Sequence, residues 1–321
     1  MQTKFNILIS RTDSIGDVIL TLPMAGILKQ KYPDSKISFL GKKYTRDIIN
    51  ACEHIDDFIC YDELTKKNYD EQIKFIGQKQ FTHCVHVFPV YEIAQLIRKA
   101  KVPVRIGTTN RVFHWVTCNK LIRLSRKKSD LHEAQLNCKL LATFEFDKIL
   151  SIKELNENVG FTNIQKLDEC NFALLDSDKK NIIIHPKSQG SANEWAMDNY
   201  VQLIKKIDHT KYKVFISGTE NERQYIQQII TNCPEVNDIV GKFDLKQFIS
   251  FINEADALIA CSTGPLHIAS VCGKNTIGLF TNIRPMHPGR WAPIGNKSRI
   301  ILMDNDTNTE INSILNELEK I

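Results

Sequence analysis

No stretch of this sequence approaches the ~18 consecutive apolar residues of a membrane-spanning helix. Runs such as Ile182–Ile184 and Ala257–Cys261 end after a few positions. Met1–Ser10 also lacks the apolar core of a secretory signal, so the chain is expected to stay in the cytoplasm. No C-x-x-C pair occurs among the nine cysteines, whose odd number and scatter argue for reduced thiols and against a disulfide framework or a structural zinc site. No G-x-x-x-x-G-K-[ST] is present and no G-x-G-x-x-G follows the first apolar run, which disfavours a P-loop NTPase and a nicotinamide dehydrogenase. A G-x-S-x-G nucleophile elbow and an H-E-x-x-H zinc helix are missing as well. Asp304-Asn305-Asp306 resembles a metal-binding D-x-D, but near the terminus it reads as a turn, so no metal is expected.

Acidic residues are absent from one long segment. Between Arg98 and Lys128 stand ten Lys and Arg and no Asp or Glu, leaving 32 of the 42 basic residues against 37 acidic ones elsewhere. That segment supplies the whole net charge of +5. It reads equally as a solvated basic face and as a surface for an anionic partner.

A chain of 321 residues at 42% hydrophobic content buries a substantial core, and its length favours two domains. Short apolar runs alternate with amphipathic stretches of helical length, the signature of parallel sheets covered by helices, so the fold class is α/β. Strands are expected near Asn6–Ser10, Lys36–Leu40, Asp57–Tyr61, His83–Phe88 and Val104–Ile106, with helices over Asp17–Lys31 and Tyr91–Ala100. A second series runs through Asn181–His185, Lys213–Ser217, Asn237–Val240, Ala257–Cys261 and Asn275–Phe280. The polar stretch from Asp147 to Lys180 places the boundary near Asp168, giving domains 1–168 and 169–321. Two doubly wound units are expected to face a central cleft, and ligands of such sheets bind outside the carboxyl ends of the strands.

Four post-strand loops carry candidate chemistry. Ser262-Thr263-Gly264-Pro265-Leu266-His267 begins a helix whose exposed amides favour an anion such as a diphosphate, with Ser262 or Thr263 able to cap and His267 able to donate. The bland alternative is a plain helix start with a structural histidine. Gly218-Thr219-Glu220-Asn221-Glu222 contains a capping-box spacing at Thr219 and Glu222, which leaves Glu220 free to accept from a ribose diol. Pro186 to Trp195 is a polar loop that suits phosphates but would also serve as ordinary surface. Arg11-Thr12-Asp13-Ser14-Ile15-Gly16-Asp17 follows the first strand, and Asp17 reads either as a first-turn carboxylate or as a general base, with Asp13 its rival.

Taken together, Arg11 through Val18 with Leu22-Pro23, His185-Pro186 through Trp195, Gly218-Thr219-Glu220 and Ser262 through His267 resemble glycosyltransferase family 9, the heptosyltransferases of GT-B fold. The resemblance covers most of the chain. It implies that Asp17 is the general base, that Lys187, Ser188 and Glu220 fall at donor-nucleotide positions, and that Thr263, Gly264 and His267 hold the diphosphate, with Ser262 counted among the donor-binding residues. Ser262 stands where well-known heptosyltransferases often carry a carboxylate, and Asn193 where a lysine is typical. An N-terminal acceptor domain and a C-terminal donor domain follow from the family pattern, with the last helix allowed to pack back on the N-terminal domain. The basic segment then becomes an acceptor face, carried by Arg105, Arg111, Lys120, Arg123, Arg126, Lys127 and Lys128.

The implied reaction is inverting transfer of heptose from ADP-heptose to the inner core of lipopolysaccharide, a lipid A–Kdo type acceptor, without a metal or any cofactor beyond the nucleotide-sugar co-substrate. Its implied partners are the nucleotide sugar, an anionic lipid-linked saccharide and the inner membrane surface in peripheral contact, with no nucleic acid. Two alternatives remain at this point: a nucleotide-sugar epimerase of similar architecture, and a binding-only member of the family.

Overall fold

The computed structural model describes residues 5–126, 128–188, 190, 192–304 and 306–321. It divides into two compact units, Met1–Asn163 and Ile164–Ile321, a few residues before the boundary expected near Asp168. Asp168 itself begins a short helix over Glu169–Phe172 in the second unit.

In the first unit, strands β1 (Asn6–Ser10), β2 (Lys36–Gly41), β3 (Asp57–Cys60), β4 (His83–His86), β5 (Val104–Thr108) and β6 (Lys120–Ile122) form a sheet in the order β3-β2-β1-β4-β5-β6. Every pairing is parallel. Ile7, Leu8 and Ile9 are fully buried in succession, as a central strand covered on both faces requires. Strand β6 was not expected from the sequence, since its Lys120 and Leu121 are exposed at the sheet edge and its pattern is too polar to read as core.

The second unit repeats the plan. Strands β7 (Lys180–His185), β8 (Tyr212–Ile216), β9 (Asn237–Asp238), β10 (Ala257–Cys261), β11 (Asn275–Phe280) and β12 (Ser298–Leu302) lie in the order β12-β11-β10-β7-β8-β9, again all parallel. In each sheet the order reverses beside the first strand, between β1 and β4 and between β7 and β10. The loops leaving the carboxyl ends there are the natural ligand positions of an open α/β sheet.

Two expectations need correction. The helix expected over Asp17–Lys31 is two helices, Ile15–Ile19 and Pro23–Lys31, because Pro23 has no N–H to continue the ladder and starts a new first turn instead. The last helix, Thr307–Leu318, belongs to the C-terminal unit: Ile311, Ile314 and Leu318 are buried in the core of that unit alongside Ile182 and Trp195. Its start explains the acidic string near the terminus, since Asp306 accepts from the N–H groups of Asn308 and Thr309 as an N-cap, while Asn305 lies outside the described residues. All nine cysteines are free thiols, seven of them buried as small core residues. Among the described residues no helix is long and apolar enough to cross a membrane.

Candidate functional site

The loop after β1 is organised by a residue whose role the sequence did not reveal. Arg11 is 3% exposed, and its guanidinium donates through Nε to Asp13 Oδ1 (2.8 Å) and through Nη2 to Asp13 Oδ2 (3.0 Å) and to Asp17 Oδ1. Its Nη1 donates to Asn137 Oδ1 (3.0 Å) and lies 3.4 Å from Glu133 Oε1. Burial works against the guanidinium charge, but Asp17, Asp13 and Glu133 outweigh it and hold the Arg11 pKa above its ordinary value. Glu133, 1% exposed, also accepts from Arg126 Nε at 2.9 Å, and Asn137 Oδ1 from Arg126 Nη2 at 2.8 Å. Two guanidiniums thus share three carboxylates around one buried centre.

Within that network the two candidate bases differ. Asp13 spends both oxygens on Arg11 in a bidentate pair, and burial pushes its carboxyl up, with the Asp17 charge adding and Arg11 opposing. Asp17 gives one oxygen to Arg11 and accepts on Oδ2 from the hydroxyl of exposed Ser14 at 2.5 Å. Ser14 occupies the N-cap position without a side-chain cap bond, so its hydroxyl serves the carboxylate rather than the helix. Asp17 sits in the first turn of Ile15–Ile19 and is 18% exposed, close to the 20% of Asp13, so the two differ in their partners and not in exposure.

In the C-terminal unit the loop after β7 is built on Glu194. Its carboxylate accepts from the Ser188 N–H (2.8 Å) and hydroxyl (2.9 Å) and from Lys187 Nζ, whose ammonium also lies 4.9 Å from the centre of the Tyr225 ring. Burial opposes ionisation of Glu194, but Lys187 and Ser188 hold its carboxyl below the ordinary range. Trp195 anchors the loop from beneath, 4% exposed and donating to Glu310 Oε2 of the last helix at 2.7 Å. Asn193 reaches the Thr281 hydroxyl at 2.9 Å. His185, at the end of β7, shares a hydrogen bond with Ser217 (3.0 Å), and burial lowers its pKa to about 4 against the pull of Glu222 and Glu194.

Glu222 closes the capping box expected with Thr219, accepting from its N–H at 2.6 Å and its hydroxyl at 2.9 Å. Glu220 stays 67% exposed, with one oxygen on Arg223 Nε (2.8 Å) and the other facing Gly241. Gly241 has φ of +68°, which favours glycine, and a Cβ there would push aside the Glu220 carboxylate, whose Oε2 would lie 2.3 Å away.

After β10, Thr263 is the N-cap residue of the helix Gly264–Val271, with Pro265 in its first turn. The expectation that Thr263 caps through its side chain fails: it makes no cap bond, and its hydroxyl oxygen is buried without a hydrogen-bond partner. His267 is buried in the first turn, and Ser262 and Gly264 are half-buried at its mouth.

The basic segment separates into two groups. Arg105 donates to the carbonyls of Thr117 (2.8 Å), Val102 (2.6 Å) and Pro103 (3.5 Å), and Arg126 belongs to the Arg11 network. Arg111, Lys120, Arg123 and Lys128 are exposed and form no ion pair among the described residues. Lys127 lies outside those residues. The sequence missed Glu194 because a Glu inside a polar loop carries no pattern. It missed Arg11 because Glu133 and Asn137 lie 122 and 126 positions away, although their i,i+4 spacing on one helix was a readable hint.

Comparison with known proteins adds the family. The chain is 28% identical to a Haemophilus influenzae protein provisionally described as a glycosyltransferase, over 98% of this chain and 95% of that one. It is 24% identical to the lipopolysaccharide core heptosyltransferase of the same organism, over 91% and 83%. Among solved structures, the fold superposes on Escherichia coli ADP-heptose lipopolysaccharide heptosyltransferase II with a TM-score of 0.76 at 17% identity, covering 98% of this chain and all of the other. The model of glycosyltransferase family 9 (heptosyltransferase) matches residues 72–320, and the chain, a GT-B glycosyltransferase, belongs to that family.

Proposed function

We propose that this enzyme transfers heptose from ADP-heptose to a hydroxyl of an anionic, lipid-linked inner-core saccharide at the cytoplasmic face of the inner membrane. The observation that carries the reading is the Asp17 carboxylate, fixed on one oxygen by Arg11 and covered on the other only by the exposed Ser14 hydroxyl. An acceptor hydroxyl replacing Ser14 meets a base whose orientation is already set. Asp13 holds both oxygens in a bidentate pair with Arg11, whereas one Asp17 oxygen meets an exposed hydroxyl that an acceptor can replace, which supports Asp17 over its rival. The reaction is a single displacement: the acceptor oxygen attacks the anomeric carbon, Asp17 takes its proton, the bond to the diphosphate breaks, and ADP leaves from the opposite face.

The C-terminal unit then serves the leaving group. The buried Thr263 hydroxyl, the amides at the start of Gly264–Val271, His267 and Lys187 meet the charge growing on the diphosphate, and no metal or cofactor takes part. Ser262 and Ser188 line the same loops, and exposed Glu220 accepts from the ribose. Arg111, Lys120, Arg123 and Lys128 attract the acceptor's phosphates and carboxylates, with Lys127 assigned by sequence alone. Incubating the purified enzyme with ADP-heptose and a lipid A–Kdo acceptor should yield ADP and an acceptor one heptosyl residue heavier. UDP- and GDP-sugars should not replace the donor, and turnover with one of them instead would reassign it. Release of free or epimerised sugar in place of a glycosylated lipid would reject transfer.

A further inference from the structure

The loop joining β5 to β6 exposes apolar side chains that a merely connecting loop would hide. Val112 is 84% exposed, Trp115 66% and Val116 61%. This loop is held firmly from beneath. His114 is buried and accepts the Thr108 N–H on Nδ1 (2.9 Å), the Arg105 guanidinium donates to the Thr117 carbonyl (2.8 Å), and Asn119 accepts the Arg105 N–H (2.8 Å). A Cβ on Gly107 would come within 2.6 Å of the His114 ring and 2.8 Å of the Cys118 sulfur, so the turn His114–Thr117 packs directly on the sheet. The Trp115 indole N–H donates to the Thr109 carbonyl at 3.0 Å, which satisfies its polar edge within the loop. The exposed apolar surface is therefore part of a rigid platform.

Its rim carries one sign of charge. Arg111 precedes Val112, and Lys120 and Arg123 lie on and just after β6, where the loop ends; all three are exposed, without an ion pair among the described residues and within a stretch that has no acidic residue. A second copy of this chain is a poor occupant, because a two-fold interface would press the same cations together. Indole and valine side chains flanked by Arg and Lys match the boundary of a bilayer bearing anionic headgroups.

We infer that Val112, Trp115 and Val116 insert shallowly into an anionic phospholipid surface, with Arg111, Lys120 and Arg123 on the headgroups. The platform starts after the carboxyl end of β5, the edge from which the Arg11–Asp17 loop leaves β1, and crosses back until Thr117 meets Arg105 near the start of β5. Docking there would hold the N-terminal unit, with Asp17, at the surface that carries a lipid-linked saccharide. Only this last consequence rests on the proposed transfer reaction; the lipid contact stands apart from it.

Vesicles of phosphatidylcholine with and without phosphatidylglycerol test the contact, with no donor or acceptor present. The protein should sediment with the anionic vesicles and not the neutral ones, and lose that binding at high salt. Combined Val112→Ser, Trp115→Ser and Val116→Ser should weaken it roughly tenfold or more with the melting temperature unchanged, since all three side chains are exposed. In a Trp291→Phe background, brominated lipids should quench the tryptophan emission and should not do so once Trp115→Phe is added, because Trp195 is buried. Absence of binding at low salt, unchanged binding by the triple variant, quenching that persists once Trp115→Phe is added, or self-association through this face would each overturn the inference. The triple variant should still glycosylate an acyl-free acceptor in solution. Vesicle binding without any transfer from ADP-heptose would count against the donor assignment and leave the lipid contact intact.

Discussion

The two units repeat one strand order, yet the loops leaving their first and fourth strands are chemically opposite. After β1 the N-terminal unit concentrates charge: Arg11, Asp13, Asp17, Glu133 and Arg126 share one buried centre. After β10 the C-terminal unit presents Ser262, Thr263 and Gly264, with backbone amides and a buried hydroxyl that lacks a partner. One loop fixes the carboxylate that we propose as the proton acceptor, and the other, on the same proposal, receives an anion. A shared topology fixes where the loops are and leaves their chemistry to a handful of side chains.

Removing the proton acceptor is the hardest blow to that division. Asp17→Asn keeps the shape and most of the contacts with Arg11 and Ser14, and kcat should fall roughly 10²–10⁴-fold with donor affinity nearly unchanged. Asp13→Asn should cost mainly stability, because its role is the bidentate pair with Arg11. Steady-state kinetics and melting curves of both variants, side by side, decide the matter. A folded Asp17→Asn enzyme with near-normal turnover would falsify the assignment.

Arg11 tests whether the N-terminal centre is a single unit. Arg11→Met leaves Asp13, Asp17 and Glu133 without their shared cation, and breaking such a buried pair typically costs about 3–5 kcal/mol. Denaturant unfolding should show the loss, with protection from hydrogen exchange falling in β1 and β4 and staying put in β7 and β10. Uniform loss across both sheets would mean that the two units do not unfold independently. Arg11→Lys keeps the charge but not the fork, and should recover only part of the stability.

For the C-terminal loop the corresponding change is small and neutral. Thr263→Val replaces a buried hydroxyl that has no partner with a methyl of similar size, so stability should hold or rise slightly. If that hydroxyl awaits the diphosphate, donor affinity should drop roughly tenfold or more, the worth of a hydrogen bond to a charged group. Calorimetry with ADP finding an unchanged Kd would remove Thr263 from the donor site.

How much of this was legible beforehand follows from where the information lies. Central strands such as Ile7-Leu8-Ile9 and Ile182-Ile183-Ile184 are buried on both faces and stand out as apolar runs. Edge strands β6 and β12 did not stand out, because half-exposed edges such as Lys120-Leu121-Ile122 lack the pattern. The loops that hold the candidate site were found because polar residues right after apolar runs mark strand ends. The partners inside those loops were not, since Arg11 meets Glu133 and Asn137 only through the tertiary fold. The basic segment shows the same limit: ten like charges were countable, but nothing in the count separates Arg105 and Arg126, committed to the interior, from Arg111 and Lys120 at the surface.

The smallest effect expected is a pH dependence that differs between the units. Each buries a neutral histidine at a strand end: His86, which burial lowers to about 3 with His114 and Arg105 assisting, and His185, lowered to about 4. An unfolded histidine titrates near ~6.5. Between that value and the folded one the unfolded chain binds more protons, so stability falls as pH drops, by up to ~1.4 kcal/mol per pH unit for each histidine. Above ~6.5 neither contributes a slope. The carboxylates then separate the units. Glu194 is held low in the fold, so its contribution is present at neutral pH and is lost as pH falls toward the carboxylate range, adding to His185. Asp13 is held high, so its contribution grows as pH falls and offsets part of the His86 loss. The N-terminal unit also holds His54, His83 and His114 low by burial, so its loss of stability below about pH 6.5 sums several histidines, whereas His185 can be read alone in the C-terminal unit. Urea unfolding at a series of pH values, followed by exchange at β4 and β7 amides, reads the two slopes separately. His185→Gln should flatten the C-terminal slope between pH 6.5 and 5 by about one proton. Equal slopes in wild type and variant would show that His185 is not held neutral by the fold.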